Sequence, residues 1–375
     1  MSLTAENAIQ QAIELAGSCD FGPPGFEEGL ERVLQAFGRL RLTAATRDAV
    51  ENKIVSDLAM RLRIEACYAA HPEIDDQPIE GMVLVCGLPR TGTTATVAML
   101  ALDDRFRFLR SWEGGNLLPP PILEEEHSDP RRIAAHDAAK SYAMRSMHLH
   151  DPDGPEEDLA FLAGLTMHSY HGALPMPDDY LCWWIDKDFS DHYAYLERVL
   201  KLLHSRRPPR RWLLKSPPHL FKLDAFASRF PNTKFVMTHR DPAKAIASAA
   251  SLQCSMQAER CEPGAIDKAE RGRGLLRFWR EGMDRGLAAR AAIGEDRFID
   301  VSNEEVVKRP VQTFERIYGH LGMKLGPDLR AKLETYSRQN APGAFGEHKY
   351  LPEEYGLTRE SVRATFKDYV DRFGL

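Results

Sequence analysis

Apolar positions divide the chain into two regimes. Up to about Ile79 they recur at helical spacing: Phe26, Leu30, Val33, Leu34, Phe37 and Leu40 follow a 3.6-residue period, and Val50, Ile54, Leu58 and Leu62 repeat every fourth position. From Gly81 the pattern changes. Residues 82–86 read MVLVC, a short unbroken apolar run of the kind that a strand buried on both faces of a parallel sheet requires. Residues 212–214, 234–237 and 297–301 look alike, and helical stretches alternate with them. The pattern predicts a three-layer α/β fold with a mostly parallel sheet over residues 80–375, and a helical N-terminal extension, residues 1–79, packed on it. The packing faces of that extension suit a cap or a homodimer surface better than a catalytic site. The proline clusters at 119–121 and 206–211 mark loops, neither is long enough to link domains, and no internal repeat is visible.

Composition narrows the function classes. Hydrophobic residues at 43% and charged residues at 28% allow a sizeable core. A net charge of −6 removes the broad positive field that nonspecific nucleic-acid binding needs, so any anion site must be local. No apolar run approaches the roughly 18 residues of a membrane span, and the N-terminus lacks the pattern of a signal peptide. A cytoplasmic location is expected. The six cysteines are scattered without metal-ligand spacing and read as small hydrophobes. His148 and His150 stand beside Asp151 and Asp153, but their spacing is not that of a zinc site, and no metal is expected.

Two segments carry chemistry. After the strand MVLVC, residues 87–94 read GLPRTGTT and an apolar helix follows. Strand, glycine-bounded loop and helix start form a phosphate cradle, because unpaired backbone N–H groups and the helix dipole converge on an anion. The spacing is that of a Walker A loop, yet Thr93 stands where its lysine would be, and the positive charge sits at Arg90 instead. That argues against hydrolysis of a nucleoside triphosphate. A kinase or NTPase of related fold would also need a Mg²⁺-holding acid after a strand, for which Asp300 is the sole, weak candidate. The second segment is the strand ending at His239 and Arg240, with Asp241 and Pro242 as N-cap and first residue of a helix that contains Ser248. Arg240 is thereby presented at the carboxyl edge of the sheet, where open α/β sheets bind ligands. Lys215 ends the strand WLLK at the same edge. The aromatic stretch 180–196 reads as core packing ahead of an acceptor pocket.

Together these segments resemble the PAPS-dependent sulfotransferases. Pro89, Arg90, Thr91, Gly92, Thr93 and Thr94 fit that family's loop for the 5′-phosphosulfate, and Arg240 with Ser248 keeps the eight-residue step of its 3′-phosphate site. Residues 211–220 (RWLLKSPPHL), the FPN at 230–232, the HRDP at 239–242 and the tail 346–350 (GEHKY) look like a bacterial branch, related to the tyrosylprotein type by its arginine in the loop. The resemblance implies a P-loop-kinase-like core and transfer of a sulfuryl group from PAPS to a hydroxyl or amine of a small acceptor. It also implies cofactor contacts from the loop, Arg240, Ser248, His348 and Lys349. Arg90 and Lys215 are expected to meet the charge that builds during transfer, and Glu113, after the loop helix, is the expected base. His150 and the acidic run Glu156, Glu157, Asp158 are the alternatives. A nucleotide-binding protein that has lost turnover is the remaining rival.

Overall fold

The computed structural model of the chain describes residues 3–79, 81–140, 151–169, 172–341 and 350–375. Three helices come first: α1 (Ala5–Ala16), α2 (Glu27–Gly38) and α3 (Ala44–Ala70). Thr4 and Thr43 cap α1 and α3, their hydroxyls accepting from the backbone N–H of Asn7 and Thr46 at 3.2 Å. Of the periodic positions, Phe26, Leu30, Val33, Phe37, Leu40, Ile54, Leu58 and Leu62 are buried, whereas Leu34 and Val50 are half-buried.

Among the described residues five strands follow: β1 (Val83–Gly87), β2 (Phe106–Arg107), β3 (Arg211–Lys215), β4 (Lys234–His239) and β5 (Phe298–Ser302). They form one sheet in the order β2-β3-β1-β4-β5, and every neighbouring pair is parallel. Helix α4 (Thr93–Leu100) follows β1. Between β2 and β3 lie α5 (Ser111–Gly114), α6 (Pro130–Ala139), α7 (Asp158–Leu162), α8 (Asp178–Asp186) and α9 (Ser190–His204). Helix α10 (Leu223–Arg229) joins β3 to β4, and α11 (Pro242–Arg260) and α12 (Lys268–Ile293) join β4 to β5. The chain ends in α13 (Asn303–Lys308), α14 (Pro310–His320), α15 (Pro327–Gln339), α16 (Arg359–Thr365) and α17 (Lys367–Phe373).

Alternate strand residues feed opposite cores, which is why β1, β3 and β4 carry apolar runs, whereas Asp300 interrupts β5. Val83, Val85, Leu213, Val236 and Val301 share one core with Val97 of α4, Phe314 and Ile317 of α14 and Leu333 of α15. Leu84, Cys86, Trp212, Leu214, Phe235 and Met237 enter a second core with Leu200 of α9, Ile246 of α11 and Trp279 of α12. Leu30 and Leu58 of the N-terminal helices belong to that second core as well. Three layers result, as the sequence pattern requires. The aromatic stretch packs inward: Trp184, Phe189 and Tyr193 are fully buried, with the Trp184 and Phe189 rings edge to face at 5.3 Å. Because β1 is flanked by β3 on one side and β4 on the other, the crevice beyond its carboxyl end is the switch point of the sheet.

Candidate active site

From the end of β1 the chain turns through Leu88, Pro89, Arg90, Thr91 and Gly92 into α4, whose first two residues are Thr93 and Thr94. Gly87 and Gly92 have φ of 134° and 98°. A Cβ at Gly87 would lie 2.5 Å from the Thr238 carbonyl oxygen, and one at Gly92 would lie 2.6 Å from the Asn303 amide nitrogen. Arg90 is itself left-handed, with φ of 63°, a conformation that costs a non-glycine residue about 1–3 kcal/mol. The turn is held from inside: the buried Thr91 hydroxyl donates to the Leu88 carbonyl at 2.6 Å and stands 2.6 Å from the Thr238 hydroxyl.

The Arg240 segment docks on this turn. Arg240 Nη1 donates to the Arg90 carbonyl at 3.0 Å, and Arg90 Nε donates to Ser248 Oγ at 3.1 Å. Asp241 caps α11 by accepting from the Ala243 N–H at 3.0 Å, with Pro242 as first helical residue, as the sequence pattern requires. Burial, and after it the like charge of Arg240, pushes the Arg90 guanidinium below its ordinary value. Two guanidinium groups held beside a loop of backbone N–H groups make a place for a polyanion.

Lys215 reaches the loop from β3, where it pairs with Val85 of β1. It is 2% exposed, and its ammonium lies 3.4 Å from Thr94 Oγ1 and 2.8 Å from Glu157 Oε1. Glu157 is delivered by a segment laid antiparallel to residues 109–112. Arg110 and Pro155 form a β-bridge, and the Glu156 N–H donates to the Leu109 carbonyl at 2.9 Å. The Glu157 side chain keeps 30% of its surface exposed, so its carboxylate is open to the crevice.

Glu113, the expected base, does not join this group. It is fully buried as the third residue of α5, its two oxygens taking Arg107 Nη2 at 2.6 Å and Nη1 at 2.9 Å, while the Arg110 N–H donates to Oε2 at 2.9 Å. Those three bonds engage both carboxylate oxygens, and with the group buried they brace the turn between β2 and α5. Glu157 is the carboxylate that meets Lys215 beside the loop. Asn303, the first residue of α13, packs on Gly92, a contact the sequence analysis did not single out. His150, His348 and Lys349 lie outside the described residues.

Asp300, the one acid weighed for Mg²⁺, is engaged by Arg290 at 2.6 and 2.9 Å and by His239 at 2.7 Å. Burial pushes its carboxyl up, but the hydrogen bonds from Arg290 and His239 more than reverse that and hold it well below the usual carboxylate range. Among the described residues no group of His, Cys, Asp and Glu is arranged to hold a metal, and no helix is long and apolar enough to cross a membrane.

Comparisons with known proteins agree with this geometry. The sulfotransferase family profile matches residues 83–327, well over half of the chain. The crystal structure of sulfotransferase STF9 from Mycobacterium avium superposes with a TM-score of 0.90 at 30% identity, covering 99% of this chain and 97% of that one. Sulfotransferase STF1 from Mycobacterium tuberculosis gives 0.85 at 29% identity, covering 98% and 99%. The omega-hydroxy-beta-dihydromenaquinone-9 sulfotransferase Stf3 of Mycobacterium bovis is 24% identical over 318 residues, 81% of this chain and 77% of its own.

Proposed function

Because the chain belongs to the sulfotransferase family and is an enzyme of sulfuryl transfer, we propose that its donor is PAPS and its acceptor a hydroxyl group of a small molecule. The observation that carries this reading is the position of Lys215, whose ammonium touches both the loop, at Thr94, and the Glu157 carboxylate. Pro89 through Thr94 would cradle the 5′-phosphosulfate on backbone N–H groups, and Arg240 with Ser248 would hold the 3′-phosphate. Bound PAPS supplies an activated sulfuryl group. Glu157 takes the acceptor's proton as the new S–O bond forms. Lys215 and Arg90 face the negative charge left on the 5′-phosphate oxygen as the old S–O bond breaks, and fixed cations there lower the barrier. The residues fit such a ligand: Arg90 and Arg240 stand together with only hydroxyl and carbonyl oxygens as their hydrogen-bond partners among the described residues.

Isothermal calorimetry with PAP, AMP and ATP tests the donor. PAP should bind well and ATP poorly, since Thr93 stands where a triphosphate-binding loop has lysine; equal affinity for all three would sink the reading. For the base, Glu157→Gln keeps the shape and removes basicity, so sulfuryl release from PAPS should collapse while PAP affinity holds. Full turnover in that variant would remove Glu157 from the role and reopen it to Glu113 and His150.

A further inference from the structure

Beneath the Lys215–Glu157 pair lies a second, fully enclosed chain of polar groups. Asp158, next to Glu157, is 1% exposed; its Oδ1 accepts from the Lys215 backbone N–H at 3.2 Å and its Oδ2 lies 2.6 Å from His219 Nε2. His219 is 0% exposed, and its Nδ1 lies 2.9 Å from the Tyr193 hydroxyl of α9. One residue further on, the Leu159 N–H donates to Ser216 Oγ at 3.1 Å. The start of α7 is thus fastened to the end of β3 by three successive residues, with Glu157 outermost.

A histidine–aspartate pair invites a reading as a proton-relay dyad. The burial excludes it: both ring nitrogens of His219 are engaged, and the ring is packed between Tyr193, with centroids 5.7 Å apart, and Phe226, 5.1 Å away. Lys215 needs little of this support, because its backbone is held in the ladder with β1. Helix α7 has only five residues, too short to hold its own position, and its first residue is Asp158. What the chain of groups decides is therefore where Glu157 stands. We infer that Tyr193, His219 and Asp158 are positioning residues that aim the Glu157 carboxylate at the acceptor side of the loop. The inference rests on the assignment of Glu157 as the base.

The test uses the full chain, with release of radiolabelled sulfate or sulfate ester from PAPS to water and to phenol as the readout. His219→Phe fills the same space and removes both ring contacts, and should lower kcat by about 10²-fold, the cost of a small misplacement of a reacting group. PAP affinity should be unchanged. His219→Gln, which returns an N–H near the Nε2 position, should recover most of the loss. Tyr193→Phe, which removes one oxygen at the far end and leaves the core filled, should lower kcat by several-fold and serves if His219→Phe does not fold. In a Glu157→Gln background the same substitutions should cost no more than about twofold, because the group they aim is already gone. Equal losses in both backgrounds, or unchanged kcat in Tyr193→Phe and His219→Phe, would overturn the inference. If Glu157→Gln alone keeps full turnover, the assignment of the base has failed instead.

Discussion

Lys215 bears the heaviest demand of any side chain at the site. It is buried, and its charge is balanced by the half-open Glu157 carboxylate rather than by water. A cation so placed acts most strongly on charge that appears during the reaction, so Lys215→Ala should lower turnover by about 10²- to 10³-fold and alter PAP affinity far less. Steady-state kinetics beside calorimetry separates the two effects; a variant that loses PAP binding but keeps kcat would make Lys215 a ground-state phosphate ligand. Arg240→Ala should do the reverse, removing about 1.5–3 kcal/mol of the preference for PAP over AMP, the range for hydrogen bonds to charged groups. Glu113 gives a third, contrasting expectation. Its charge faces the buried Arg107 guanidinium across a two-point contact, and neutralising one partner of such a pair costs about 3–5 kcal/mol. Glu113→Gln should therefore lower the midpoint of denaturant unfolding and leave kcat of the folded fraction near the parent value.

At the scale of elements, the loop between β1 and α4 depends on backbone shape more than on side-chain chemistry. Gly87 combines a φ of 134° with a Cβ position 2.5 Å from the Thr238 carbonyl, so Gly87→Ala must push β1 from β4 at the mouth of the site. Loss of both PAP binding and stability is expected, measured by calorimetry and thermal unfolding; a variant with parental affinity would show that the loop tolerates a wider mouth. This loop was legible from the sequence because glycine spacing, a preceding apolar run and a following helix are local signals. The strands β1, β3 and β4 were legible for the same reason, each carrying an apolar run between two cores, and β5 was legible from Phe298, Ile299 and Val301 on either side of Asp300. Strand β2 was not: it has two residues, paired to the first two of β3, and no period can be read from two positions. The burial of Glu113 against Arg107 was not legible, because its distance from Arg90 along the chain says nothing about that guanidinium. Glu157 is 58 residues from Lys215, and a contact of that span depends on how residues 151–158 cross the sheet edge.

At the scale of the whole molecule, the seam between the N-terminal helices and the α/β core contains an acid-sensitive group. His168 is 1% exposed, both ring nitrogens are buried without a hydrogen-bond partner among the described residues, and the ring lies against Trp183, Phe189 and His192. Trp183 and the neighbouring Lys187 donate to Glu28 of α2 at 2.8 and 2.7 Å, so this cluster faces the seam directly. Burial, reinforced by the charge of Lys187, pushes the His168 imidazole down to about 4. His192 is pushed down by burial as well. An unfolded chain takes up a proton at His168 near pH 6.5, whereas the folded chain refuses it until about pH 4, so stability falls as pH drops through that window. For His168 alone the loss amounts to roughly 2 kcal/mol by pH 5 and 3 kcal/mol near pH 4. Carboxylates whose values are lowered in the fold, such as Asp103, withdraw their stabilisation from about pH 5 downward, in parent and His168 variant alike, so the difference between the two still reports His168. Phenylalanine matches the ring and sacrifices no hydrogen bond, since neither nitrogen makes one. His168→Phe should therefore be as stable as the parent at pH 7.5 and should flatten the decline toward pH 5, followed by urea unfolding at each pH. The same slope in parent and variant would place the acid sensitivity at His192 or outside the cluster.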